Sequence, residues 1–62
     1  MPLTPKQMIK LLHKHGFVIV NQNGSHVKMR NPQTKRQTEV PMHCKDLKKG
    51  LEQAILKQAG LK

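Results

Sequence analysis

Val18-Ile19-Val20-Asn21-Gln22-Asn23-Gly24-Ser25-His26-Val27-Lys28-Met29-Arg30 is the stretch on which the fold turns. Asn-Gly between two runs of this kind is the strongest short-range hairpin signal, and it favours a two-residue type I′ turn. A turn centred on Asn23-Gly24 pairs Gln22 with Ser25 and thereby sets the register. Counting outward, Val20 faces Val27 and Val18 faces Met29, which makes one wholly apolar surface for a core. The opposite surface then carries Phe17, Ile19 and Asn21 beside His26, Lys28 and Arg30.

On the C-terminal side, the Pro32-Gln33-Thr34-Lys35 loop leads into a third strand over about residues 36–41. If Asn31 pairs with Arg36, Val40 meets Val27 and Thr38 meets Met29 on the core side. Glu39 then falls opposite Lys28, where a cross-strand ion pair or a phosphate contact by Lys28 are both open. Pro41 ends the strand or marks it as an edge.

Helical periodicity flanks these strands on both sides. A first helix is expected over about residues 5–15. Thr4 is its N-cap, Pro5 its first residue, Gln7 completes a capping box, and Gly16 terminates it. Met8, Ile9, Leu11 and Leu12 share one face, with Lys6, Lys10, His13 and Lys14 opposite. A second helix, about 49–59, stops at Gly60. Its apolar stripe is Leu47, Leu51, Ala54, Ile55 and Gln58, with Leu61 closing the end. The expected order is α-β-β-β-α, an α+β domain with two helices on one face of a three-stranded antiparallel sheet. The other face stays open.

Sixty-two residues make a single domain, residues 1–62. A chain this short buries only roughly 60% of its unfolded surface. Chemistry must therefore sit on an exposed face. Cys44 is the sole cysteine, so no intramolecular disulfide is possible, as suits a reducing cytosol. The opening Met1-Pro2-Leu3-Thr4-Pro5-Lys6 has no apolar signal core, and the longest apolar run is Phe17-Val18-Ile19-Val20. A soluble cytoplasmic protein without a membrane partner is expected.

Charge is the loudest signal. Twelve Lys and Arg against three acidic residues give +9, and the pI is about 10.4. Such a domain needs a polyanion or an acidic protein as partner. Phe17 is the only Phe, Tyr or Trp. Holding single strands by stacking bases on aromatic platforms is thus disfavoured, and contact through phosphates and 2′-hydroxyls is the better expectation.

Several chemistries drop out. Glu39, Asp46 and Glu52 are scattered over three elements and cannot build a two-metal nuclease centre. There is no phosphate-binding loop, nucleophile elbow or paired CxxC. His13 and His15 point about 200° apart on a helix, and His43-Cys44 are adjacent, so no zinc site or other metal or cofactor is expected. Cys44 is a poor nucleophile, because its neighbour His43 is badly placed as a base.

The Gly24-Ser25-His26-Val27-Lys28-Met29 segment remains. A histidine on a strand is commonly a plain surface residue, but here Lys28 and Arg30 project from the same face and would hold a phosphate beside the imidazole. Imidazoles titrate near neutrality, as an acid or base requires. RNA brings its own nucleophile, the 2′-OH, so cleaving it needs only a base, an acid and cations. Lys45, Lys48 and Lys49 crowd the start of the second helix, where cations are unfavourable unless an anion binds. A solvated loop is the alternative there.

At this point the residues resemble a known family. Lys6-Gln7-Met8-Ile9-Lys10-Leu11-Leu12-x-x-His15-Gly16-Phe17 is similar to the opening of HicA (YcfA-like) mRNA interferase toxins. So are the Gly24-Ser25-His26-x-Lys28 hairpin, Val40-Pro41-x-His43, and the ending from Leu47-Lys48-Lys49-Gly50 through Ile55-Leu56-Lys57-Gln58-Ala59-Gly60-Leu61. The resemblance covers essentially the whole chain. It implies a fold like that of double-stranded-RNA-binding domains and a type II toxin that cleaves mRNA, with His26 at the family's catalytic position. It also implies a HicB-type antitoxin as partner. Family members often carry Gly-Thr followed by Leu-Arg where this chain has Gly50-Leu51-Glu52-Gln53, so an arginine contact is not carried over. His43 has no role derivable from the sequence, and loop packing is preferred over acid catalysis. Together, Ser25, Lys28, Arg30, Lys45, Lys48 and Lys49 are the expected phosphate contacts around His26.

Overall fold

A computed structural model describes residues 3–43 and 45–61 of the chain. Cys44 and the expectations attached to it lie outside the described residues. The elements are α1 (Pro5–Lys14), β1 (Val18–Asn23), β2 (His26–Arg30), β3 (Gln37–Pro41) and α2 (Lys49–Gln58). The strands form one antiparallel sheet in the order β1-β2-β3. This is the expected α-β-β-β-α arrangement, an α+β fold of the double-stranded-RNA-binding-domain type.

Local chemistry sets the limits of α1. The Thr4 hydroxyl accepts from the Gln7 amide at 3.2 Å, and the Gln7 side chain accepts from the Thr4 amide at 2.9 Å. This reciprocal box satisfies donors that the first turn leaves free. At the other end Gly16 adopts φ +94°. Its N–H donates to the His13 carbonyl, and the Phe17 N–H donates to that of Leu12, both at 3.0 Å. These two bonds are a Schellman motif, which brings the residue after the glycine against the last turn of the helix. Phe17 is accordingly driven into the core beside Leu12, both essentially fully buried. The same motif closes α2. Gly60 has φ +76° and donates to Lys57, while Leu61 donates to Leu56.

The core gathers Met8 and Leu12 of α1, Phe17, Val27 and Met29 of β2, Val40 of β3, Leu47, Ile55 of α2 and Ala59. Burying each large side chain contributes about 1.5–3 kcal/mol. Both helices lean chiefly on β3. The other sheet face stays open, as expected.

The β2–β3 pairing is the one read from the sequence. Val27 faces Val40, Met29 faces Thr38, and Lys28 faces Glu39. The Asn31 amide donates to the Arg36 carbonyl at 2.8 Å.

The β1–β2 register differs. Asn23 pairs with His26, Gln22 with Val27 and Asn21 with Lys28; the register then shifts, and Ile19 pairs with Met29 and Val18 with Arg30. The turn is therefore centred on Gly24-Ser25. Gly24 alone of its two central residues has positive φ, +61°, as a type II′ turn with glycine first requires. This spares Asn23 the left-handed conformation that a type I′ turn would demand. The shift leaves Val20 in an irregularity, and Val18, Ile19 and Val20 are 43%, 55% and 51% exposed. The expectation that Val18 and Val20 line the core, with Phe17 on the His26 side, is corrected: the Schellman turn sends Phe17 inward.

The face of α2 is also corrected. Leu51 and Ala54 are exposed, whereas Ile55 and Ala59 are buried and Glu52 and Leu56 half-buried. The inward stripe is 52, 55, 56 and 59, rotated by one residue, about 100°, from the expected 51, 54, 55 and 58. Polar contacts flank this face on both edges. Glu52 Oε2 accepts from the Leu3 amide at 3.3 Å, and the buried Thr38 hydroxyl donates to Gln58 Oε1 at 2.9 Å.

Candidate functional site

β2 builds the centre of the open face. Alternation along a strand sends Val27 and Met29 into the core and His26, Lys28 and Arg30 outward. His26 opens the strand directly after the Gly24-Ser25 turn. Its register neighbours are Asn23 on β1 and Pro41 on β3, while Lys28 lies between Asn21 and Glu39. Arg30 lies between Val18 and Gln37. The β1 residues beside His26 and Lys28 are thus Asn23 and Asn21, both with donors and acceptors, where the expected register put Asn21 and Ile19.

Asn21, Asn23, His26, Lys28 and Glu39 line a shallow hollow of about 100 Å³. A pocket that encloses a whole small ligand holds roughly 300–1,000 Å³. The hollow suits a group the size of a phosphate, with the rest of a ligand lying across the sheet. Glu39 brings the one negative charge to its lining, directly opposite Lys28.

A residue without a role derivable from the sequence stands beside this group. His43 is exposed, and its ring centroid lies 5.8 Å from that of His26, with the ring planes at 59°. The Met42 N–H donates to the Ser25 carbonyl, tying the chain just past β3 to the turn just before His26. Besides the Val40-Pro41-x-His43 match, the sequence signal was that Pro41 falls opposite His26 in the β2–β3 register, which delivers the residues after Pro41 to the same end of the sheet.

The remaining expected residues take different places. Ser25 is exposed in the hairpin turn. Lys45 lies on the connection from β3 to α2, Lys48 is the N-cap of α2 without a side-chain capping bond, and Lys49 is its first residue; all three are exposed. None lines the hollow. They extend a basic surface away from it along the segment that also carries His43.

His13 and His15 are occupied by the backbone. His13 Nδ1 lies 3.2 Å from the Phe17 carbonyl, and His15 Nδ1 lies 2.9 Å from that of Leu11. Both close off the end of α1. Among the described residues no three His, Cys, Asp or Glu side chains are grouped to hold a metal ion, and no helix is long and apolar enough to cross a membrane.

Comparison with known proteins bears on this arrangement. No curated protein matches the chain in sequence with significance. The family model described as "HicA toxin of bacterial toxin-antitoxin" matches residues 5–61, which takes in both helices, all three strands and every residue of the His26 group, and the chain belongs to the HicA toxin family.

Proposed function

We propose that this HicA-family toxin is a metal-independent endoribonuclease that cleaves mRNA, with His26 as its catalytic residue. The observation that supports this best is the grouping of His26 and Lys28 about one phosphate-sized hollow on the uncovered sheet face, with Arg30 next along the strand. In this reading a backbone phosphate occupies the hollow. His26 takes the proton from the neighbouring 2′-OH, whose oxygen attacks phosphorus in line with the departing 5′-oxygen. Lys28 holds the negative charge that builds on the phosphoryl oxygens, and Arg30, beyond the hollow on the same strand, holds the RNA backbone next to it. Asn21 and Asn23 offer amides to the same group. Ser25, Lys45, Lys48 and Lys49 follow the strand on either side, reading phosphates rather than bases. The products are a 2′,3′-cyclic phosphate and a 5′-hydroxyl.

The toxin–antitoxin family implies a protein that restrains this activity. We infer a HicB-type antitoxin that covers the His26 face, with acidic groups answering Lys28, Arg30 and the lysines before α2.

Cleavage of an end-labelled single-stranded RNA in the presence of EDTA tests the reading, comparing the native protein with His26→Ala after circular dichroism has verified both folds. Cutting by the native protein alone, with cyclic-phosphate ends, is the expected result. A 3′-hydroxyl product, or loss of cutting on adding EDTA, overturns the mechanism. Equal cutting by both proteins removes His26 from it. Salt-sensitive RNA binding with no cutting replaces the enzyme by an RNA-binding module.

A further inference from the structure

We propose that His43 is a second catalytic residue, the general acid that protonates the leaving 5′-oxygen; this rests on the ribonuclease reading above. In-line attack needs two proton transfers. One removes the proton of the 2′-OH, and the other delivers a proton to the 5′-oxygen. These oxygens stand on opposite sides of phosphorus, and each must come within about 2.6–3.2 Å of its own catalytic nitrogen. One imidazole cannot serve both at once. Two imidazoles with centroids 5.8 Å apart can flank one phosphate.

Three further observations carry the assignment. First, the rings stand at 59° rather than stacked, so their nitrogen-bearing edges can approach one group from two directions. Second, their nitrogens are available. Among the described residues His13 and His15 each direct Nδ1 to a backbone carbonyl, whereas no hydrogen bond engages the ring nitrogens of His26 or His43. Third, the placement of His43 comes from backbone. Pro41 pairs opposite His26, and the Met42 N–H bonds to the Ser25 carbonyl. The residue that follows is thus held beside the start of β2 by the same sheet that presents His26.

The step balances without a further reagent. The O2′–P bond forms and the P–O5′ bond breaks. The 2′-OH proton passes to His26, and the proton of the His43 imidazolium passes to O5′. His26 ends protonated and His43 neutral, and exchange with water resets both. Lys28 takes no part in the proton transfers and stays on the phosphoryl oxygens.

The test uses two RNAs identical except at the cleaved linkage, one ordinary and one with sulfur in place of the bridging 5′-oxygen. A thiolate departs without protonation, so the second RNA needs a base but no acid. His43→Ala should slow cleavage of ordinary RNA by about 10²–10⁴-fold and return to near the native rate on the sulfur-bridged RNA. His26→Ala should stay slow on both. His43→Gln, which keeps the size and a hydrogen bond but cannot donate the proton as an acid, should behave as His43→Ala does. Unimpaired cleavage of ordinary RNA by either His43 variant overturns the proposal. So does an equal loss on both RNAs, which marks a structural role, or rescue of His26→Ala by sulfur, which reverses the roles. If the native protein cuts neither RNA, the ribonuclease reading itself falls, a failure distinct from all of these.

Discussion

Asn31 closes β2 with 6% of its surface exposed, and its side chain meets three backbone groups. Its Oδ1 accepts from the amides of Gln33 at 2.8 Å and Thr34 at 3.3 Å, and its Nδ2 donates to the His15 carbonyl at 3.2 Å. One side chain thereby shapes the β2–β3 loop and anchors the end of α1 to it. The register of that loop decides that His26 faces Pro41 and Lys28 faces Glu39. A typical hydrogen bond contributes about 0.5–1.5 kcal/mol net, and a buried group left unpaired costs about 1–3 kcal/mol. Asn31→Ala is therefore expected to destabilise the fold by about 2–3 kcal/mol in urea titration. His26→Ala, at an exposed position, should stay within about 0.5 kcal/mol of the native protein. A loss below 1 kcal/mol for Asn31→Ala, taken as about the value of one bond, would show that water replaces these contacts. The comparison also separates a residue that builds the site from one that acts in it.

At the scale of elements, both helices end in the same way, with a left-handed glycine and an apolar residue folded back on the last turn. Phe17 after α1 and Leu61 after α2 are the returning residues. Phe17 does in the core what Val18 and Val20 were expected to do, and β1 is left as an edge strand with exposed side chains throughout. The irregularity at Val20 breaks a run of apolar residues on that edge, a device that discourages pairing with other chains. Replacing Phe17 by Ala should cost about 3–5 kcal/mol, a large fraction of the stability of so small a domain. Val20→Thr should change it by no more than about 0.5 kcal/mol. Thermal or urea unfolding of the two variants decides between the registers, because the valine-lined core requires the Val20 substitution to be costly.

At the scale of the molecule, a +9 chain of 62 residues carries its positive charge on both sides of the His26 hollow. Arg30 and Lys28 line one strand, and Lys45, Lys48 and Lys49 extend along the approach to α2. If those lysines hold phosphates, binding to single-stranded RNA must weaken with salt, with a log–log slope of about −0.7 for each phosphate neutralised. The double variant Lys48→Gln/Lys49→Gln should flatten that slope by about 1.4, twice the single-contact value. Fluorescence anisotropy with His26→Ala, which leaves the RNA intact, measures it over a range of salt concentrations. An unchanged slope would assign both lysines to solvent, and the charge before α2 would then be left for the antitoxin.

Signals confined to a few neighbouring residues were legible in the sequence. Thr4 with Gln7, Gly16, Gly60 and Pro41 marked where elements begin and end, because caps and chain breaks are settled by bonds within one turn. The β2–β3 register followed from the spacing of Val27, Met29, Thr38 and Val40, where only one pairing buries all four. Full-length similarity of motifs placed the chain among HicA toxins. What the sequence left open were choices between locally equal alternatives. Asn23-Gly24 and Gly24-Ser25 are both good turn centres, and one step between them exchanges the faces of β1. The stripes 51, 54, 55, 58 and 52, 55, 56, 59 of α2 have the same helical spacing, and only the packing that buries Ala59 and bonds Glu52 to Leu3 selects the second. The approach of His43 to His26 is of the same kind. It spans two strands and the Met42–Ser25 bond, and no short window of sequence contains it. Tertiary packing decided which side chains meet, because meeting depends on register and rotation summed over several elements.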